Sequence, residues 1–259
     1  MEVLDIKFSR NDLEKSVILP KEITTDVAYF CGLLAGDGHI EKNYGGKCRH
    51  VIRCEGNQKD EIEFYDKNIK ELVFRCFNIK VKPRYFMDTY GIKFTSRAIV
   101  HYLNEMIGLP RRSKYETLRI PETFKSDRKL LCAFVRGLFD TDFSFCLIKK
   151  YRKDNMNYYP QICFVSKSES FTKEIWQALK LLGLAFNGRV YKVVDPDPRA
   201  KAGYTITYRF DMYGHKYFIQ ILTIIELRHL KHLKKYEEWW NANKNNQKLA
   251  KLGYSGGWI

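Results

Sequence analysis

Two aspartates stand at matching places in two similar strings, FCGLLAGDG over 30–38 and VRGLFDTDF over 135–143, which place Asp37 and Asp142 eight residues into each. Each string closes an apolar run that reads as a buried helix. Its carboxylate then falls at the helix C-terminus, where unpaired carbonyls and the negative end of the macrodipole disfavour it by about 0.3–1 kcal/mol. Gly32 and Gly36 are four apart, as are Gly137 and Thr141, so each helix offers a stripe of small residues that a partner backbone can approach closely. Packing on those stripes would bring the carboxylates together. At about 8 Å and an effective dielectric near 20 they repel by roughly 2 kcal/mol, and a neighbouring phosphate makes this worse. A divalent cation reverses the sign of each of these terms. Hard Mg²⁺ suits carboxylate, carbonyl and water ligands, and metal ions flanking a scissile phosphate can activate water and stabilise the leaving oxygen.

The elements that must hold these acids repeat. Periodicity predicts a helix over 25–37 with Asp26 as N-cap, a hairpin of 38–44 and 48–55 around Gly45 and Gly46, and a helix over 60–77. Strands over 79–86 and 90–95 follow, then a helix over 97–107 closed by Gly108 and Pro110. The same order returns with a helix over 127–142, strands over 143–152 and 158–165, and a helix over 168–182. Strands over 188–194 and 204–212 and a helix over 215–226 complete it. Asp37 and Asp142 lie 105 residues apart, too long for a solenoid repeat, so the expectation is α+β with two pseudo-symmetric αββαββα halves. The halves are 1–108 and 127–240, joined by a linker over 109–126 and followed by a basic, loose tail over 241–259. Within 227–240 a basic amphipathic segment could dock through Leu227, Leu230, Leu233 and Trp240.

Composition restricts the partners. The chain has 259 residues, 45% hydrophobic and 29% charged, which is globular usage. Its formal charge of +15 points to a polyanion, either nucleic acid or an acidic membrane surface. Seven cysteines without a C-x-x-C pair read as reduced core residues of an intracellular protein. His229 and His232 have metal-like spacing, but their Lys-rich setting argues against zinc. The longest apolar stretch, 27–35, is far short of a membrane span, and 1–10 does not read as a signal peptide. A soluble protein of the cytoplasm or an organelle is expected.

The two strings resemble the motif of the LAGLIDADG homing endonucleases, in the monomeric, two-motif branch encoded by introns and inteins. The first matches at its glycine, the apolar positions after it, Asp37 and Gly38, and the second at Gly137, Leu138, Asp140 and Asp142. The likeness runs over about 25–226, and the segment GLPRRSKYETLRIP resembles the linker of intein-type members. The resemblance implies that the two motif helices form the interface between the halves. It makes Asp37 and Asp142 catalytic, metal-binding carboxylates, with the carbonyls of Gly36 and Thr141 as further ligands to two or three Mg²⁺ ions. It also assigns Asn57, Gln58 and Lys59, and Lys167 beside Ser166, to the neighbourhood of the attacking water, with Gln58 in the slot that pairs with Lys167. Phe143 departs from the pattern, standing where the motif closes with glycine. A glycine can end the helix left-handed at no cost, whereas a bulky residue there costs roughly 1–2 kcal/mol, so the second helix is expected to end differently.

Strand alternation separates a basic from an apolar face. Arg49 and Arg53, Lys80, Lys82 and Arg84, and Lys93 share one face in the first half, and Thr205, Thr207 and Arg209 in the second. Lys42, Lys47, Lys149, Lys150, Tyr151 and Arg152 suit hairpin tips, and Gln161, Arg189 and Lys192 complete the set expected to contact DNA. Such a ribbon can enter the major groove, with Arg read against guanine and Gln against adenine. The resemblance thus implies a monomeric, site-specific endonuclease making a Mg²⁺-dependent double-strand break by phosphodiester hydrolysis in a long, asymmetric DNA target. The alternative is a weak or inactive relative that acts as an RNA-splicing maturase on intron RNA or as a DNA-binding protein.

Overall fold

The protein is described by a computed structural model, which covers residues 6–41, 50–111, 114–149, 158–184 and 186–243. Ahead of the repeat lies a short helix that periodicity did not reveal, α1 (Arg10–Glu14). It is fixed by a capping box in which Ser9 and Asp12 satisfy each other's backbone N–H. Asp12 is fully buried and also accepts the Ala98 N–H, at 3.2 Å.

Helix α2 (Thr25–Ala35) starts where Thr24 Oγ1 accepts the Val27 N–H at 3.2 Å. Thr24 is therefore the N-cap instead of Asp26, which sits in the first turn and takes Arg75 at 2.7 Å. All nine residues from Val27 to Ala35 are buried, as expected for a helix apolar all round. Strands β1 (Gly38–Ile40) and β2 (Val51–Asn57) pair antiparallel with Gly38 opposite Cys54. The turn expected at Gly45 and Gly46 lies outside the described residues. A π-helical turn, Phe64–Ile69, leads into α3 (Lys70–Phe77), which Asn78 closes at φ 55°. Asparagine tolerates that left-handed conformation better than most residues.

The next strand is shorter than expected. Only β3 (Arg84–Phe86) pairs, with β4 (Thr89–Thr95), because Pro83 has no N–H to give a ladder. Ile79 and Val81 are buried all the same. The first sheet has the order β1-β2-β4-β3. After α4 (Arg97–His101) and a second π-helical turn, Tyr102–Met106, the linker carries two short helices, α5 (Lys114–Thr117) and α6 (Glu122–Lys125). It is not a loose connector, since Leu109, Leu118, Ile120 and Phe124 are buried in the core.

The second half repeats the plan. Helix α7 (Arg128–Thr141) is capped by Asp127, and β5 (Phe143–Ile148) and β6 (Tyr159–Ser166) follow. Then come α8 (Glu169–Leu181), β7 (Tyr191–Pro196), β8 (Tyr204–Tyr213) and α9 (His215–Ile225), with sheet order β5-β6-β8-β7. Both sheets are antiparallel throughout, and the buried apolar residues of the two halves form one continuous core.

Helix α10 (Leu230–Asn243) lies beyond the repeat; of the residues expected to dock, Leu227 is buried just ahead of it and Trp240 packs on the core, but other residues of the helix are the more deeply buried. His232, Tyr236, Trp239 and Asn243 are buried, while Leu230, Leu233 and Trp240 are half-buried. The first three residues of the presumed tail, 241–243, belong to this helix, and Asn243 donates to the Tyr158 carbonyl. The rest, 244–259, lies outside the described residues. No helix among the described residues is long and apolar enough to cross a membrane.

Candidate catalytic centre and nucleic-acid interface

The two motif helices pack where their glycines meet. A Cβ on Gly32 would stand 2.0 Å from the Phe134 carbonyl oxygen, and one on Gly137 2.3 Å from that of Tyr29. Only the absence of side chains permits this approach. At the helix ends a Cβ on Gly36 would stand 2.0 Å from Thr141 Oγ1 and 3.1 Å from Asp142 Oδ1. The Asp142 carboxylate therefore lies against Gly36, the residue before Asp37, and the two helix ends meet. Both aspartates are half-buried at the ends of their helices. Asp142 is the C-cap of α7, and the Asp37 carbonyl meets the Glu55 N–H at 3.5 Å.

The expected difference between the two helix ends takes another form. Neither Gly38 nor Phe143 has a positive φ, so no left-handed residue is needed in either place. Gly38 is required for space, since a Cβ there would meet Leu34 Cα at 2.3 Å. Phe143 instead turns into the core, stacked on Phe139 at 3.6 Å and in contact with Phe164 and Phe210. Burying such a ring contributes roughly 1.5–3 kcal/mol. Asp142 keeps its place at the end of α7 without backbone strain.

The donor set fits a hard cation: two carboxylates and the last carbonyls of two helices, all oxygen. Among the described residues no three His, Cys, Asp or Glu side chains converge to hold a metal. Asp37 and Asp142, with the carbonyls of Gly36 and Thr141, are the groups that could hold such an ion. Thr141 Oγ1 is turned back to the Gly137 and Leu138 carbonyls, so only its main chain is available for that role.

Asp140, two residues before Asp142, serves the seam between the halves. It is fully buried and accepts Tyr29 Oη at 2.7 Å and the His229 N–H at 3.1 Å. Burial pushes its carboxyl above the usual range despite these bonds. Arg228 lies over the Tyr29 ring at 4.9 Å, and His232 Nε2 meets the Phe139 carbonyl at 2.9 Å. The two histidines at metal-like spacing are packing residues, His229 stacked on Phe64 and His232 against Phe145.

Asn57 ends β2 and Gln58 and Lys59 open the turn after it, with Asn57 Oδ1 accepting the Lys59 N–H at 2.8 Å. Lys167 is exposed in the corresponding turn after β6. Gly38 pairs with Cys54 and Phe143 with Phe164, and three residues beyond these partners stand Asn57 and Lys167. Asn57, and not Gln58, is therefore the counterpart of Lys167.

The exposed face of the first sheet carries Arg53 opposite Lys93 and Arg84 opposite Gly91, as expected from alternation. Lys80, Lys82, Arg84 and Lys93 line a groove of about 540 Å³ together with Lys15. In the second half Arg189 lines a groove of about 600 Å³ with Tyr191, Asp211 and Tyr213, and Thr205, Thr207, Arg209 and Gln161 share the face of Tyr191. Lys192 does not: it pairs with Tyr208 on the opposite face, and its charge acts on Glu169 of α8. Lys149 is exposed at the end of β5, whereas Lys42, Lys47, Arg49, Lys150, Tyr151 and Arg152 lie outside the described residues.

Sequence reading missed the acids that order these cations. Glu55 holds Arg53 at 2.6 Å, and Asp211 takes two Arg209 nitrogens, Gln161 Nε2 and the Tyr191 hydroxyl. Burial opposes ionisation of Asp211, but these donors outweigh it and hold the carboxyl below its usual range. Two residues along a strand share a face, which is the signal that could have paired each Arg with its acid. Arg53 and Arg84 both lie over the Phe86 ring, at 5.5 and 4.9 Å.

Comparison with known families matches residues 129–236 to one description. That segment is similar to the LAGLIDADG-like domain. The LAGLIDADG-like match begins at the second residue of α7 and ends within α10, so it spans the second half of the repeat. Comparison with curated proteins gives no match. Among solved structures, I-DmoI in complex with DNA and Mn aligns at 16% identity and a TM-score of 0.49, covering 79% of this chain and 98% of that one. The LAGLIDADG homing endonuclease I-GzeII in complex with its DNA target aligns at 10% identity and a TM-score of 0.49, covering 89% and 93%.

Proposed function

We propose that this chain is a site-specific DNA endonuclease of the homing type, acting as a monomer on a long, asymmetric duplex and hydrolysing one phosphodiester in each strand. One observation carries the reading: the Asp142 carboxylate lies against Gly36, so the ends of two duplicated helices, each bearing an aspartate, meet. Mg²⁺ held there would neutralise the developing charge on the scissile phosphates and assist ionisation of the attacking water. The protein's own part is geometric. The glycine contacts of α2 and α7 fix the spacing of the acids, and the core of each half fixes the sheets on either side. Arg53 and Arg209, each held by a neighbouring acid, present ordered guanidinium groups to base edges, while Lys80, Lys82, Arg84, Lys93 and Arg189 neutralise backbone phosphate. Asn57 and Lys167 stand at equivalent turns where each could orient the water for one strand. That Phe143 needs no left-handed backbone supports activity at both acids.

The test is selection of cleaved duplexes from a randomised pool with Mg²⁺. A single long sequence, cut in both strands and left intact when the metal is chelated, is the expected result. Binding to a defined sequence without any cut would support the maturase or regulator reading instead.

A further inference from the structure

The turn that carries Asn57 is tied to the other half of the molecule. Gly56 has no side chain because Glu61 occupies the space, and a Cβ there would stand 1.5 Å from Glu61 Oε2. That oxygen accepts the Asn57 N–H at 3.2 Å, while the Glu61 N–H returns to the Asn57 carbonyl at 3.1 Å. The other oxygen, Oε1, takes Lys231 Nζ at 2.7 Å and faces His229 Nε2 at 3.4 Å, across 170 residues of chain. His229 Nδ1 accepts the Lys231 N–H at 3.1 Å, which leaves Nε2 as the protonated nitrogen directed at Glu61. His229 is itself anchored to α7, since its own N–H donates to Asp140.

The second half has no acid in the place of Glu61. Phe171 stands in the place of Glu61, seven residues beyond the strand partner, and points into the core. Ser168 caps α8 locally by accepting the Phe171 N–H, and its own N–H donates to Ser166 Oγ. The turns beside Asp37 and Asp142 are thus held by different means, one across the seam and one within its own half.

We infer that Lys231, with His229, is a positioning residue for the Asn57–Lys59 turn, so that the second half sets, through Glu61, the geometry used on one of the two DNA strands. The inference rests on the endonuclease reading and adds an asymmetry to it: loss of the tie slows one strand and spares the other. A misplacement of about 1 Å at such a turn lowers a rate by roughly 10- to 100-fold.

Two readouts test this on the full chain. In Lys231→Met, amide hydrogen exchange at residues 57–61 is expected to rise about tenfold or more, as a local opening becomes easier. On supercoiled DNA carrying the selected sequence, the same variant should accumulate nicked circles, with one strand slowed and the other unchanged, and Lys231→Arg should restore both. Glu61→Gln, which keeps the bond to Asn57 but loses the charge, should give a smaller bias of the same sign and stands in if Lys231→Met does not fold. Unchanged exchange overturns the inference, as does equal slowing of both strands alongside a lowered melting temperature. A wild type that cuts no DNA sinks the endonuclease reading alone, because hydrogen exchange still decides whether Lys231 orders the turn.

Discussion

His232 is 3% exposed, between the Phe145 ring and the Phe139 carbonyl, and charging it there is costly enough to govern the response to acid. Burial, aided by the charge of Lys231, pushes its pKa down to about 3 from an ordinary 6.5. The folded protein then binds fewer protons than the unfolded chain between those values. Stability is full above pH 6.5 and is lost as pH falls toward 3, by up to about 5 kcal/mol. His215, also lowered by burial, acts in the same direction. Glu61 adds to the loss at lower pH: burial raises it, but His229 and Lys231 outweigh that and bring it to about 2, so its contribution disappears between pH 4.5 and 2. Asp140 has the opposite sign, because its raised pKa makes ionisation unfavourable above its ordinary 3.8. Urea midpoints measured between pH 7 and 4.5 should fall steadily for the wild type and less steeply for His232→Phe. Equal slopes would show that His232 does not remain neutral when folded.

Helices α2 and α7 meet backbone to backbone, which makes their glycines the least replaceable residues of the seam. In Gly137→Ala the new methyl would sit 2.3 Å from the Tyr29 carbonyl oxygen and 2.7 Å from the Leu33 nitrogen, neither of which can rotate away. The helices must separate, and a stability loss of about 1–3 kcal/mol or more is expected in chemical denaturation. An unchanged midpoint would mean that the helices do not pack this closely. This packing was legible in the sequence because its signal is local: small residues four apart on a run that is apolar all round. The strand order was legible for the same reason, through alternation. What stayed hidden depends on contacts that periodicity does not encode. Residues 79–83 alternate like a strand but end at Pro83, and the buried side of α10 follows His232, Tyr236 and Trp239 in preference to leucines. The tie from Lys231 to Glu61 joins residues too far apart in the chain for any pattern to link them. The acids that order Arg53 and Arg209 sat two residues along the same strands, but a reading that followed only positive charge passed over them.

For the proposed binding to DNA, the +15 charge and the cation-lined groove of the first sheet predict an affinity dominated by counterion release. A plot of log binding constant against log salt should be linear, with a slope of magnitude roughly 5 to 9 if about six to ten phosphates are neutralised. A flat response would contradict contact with phosphate along both sheets. The halves share one plan but differ in detail, since by strand register Tyr191 stands where the first half has Arg84 and Asp211 where it has Lys93, which is why an asymmetric target is expected. The central claim is narrower than any of this: the two duplicated aspartates act together on DNA. It is tested by cleavage and binding of the selected duplex by the wild type, Asp37→Asn and Asp142→Asn in Mg²⁺. Loss of double-strand cleavage in each variant, with binding retained, is the predicted result, and full cleavage by either variant would contradict the account.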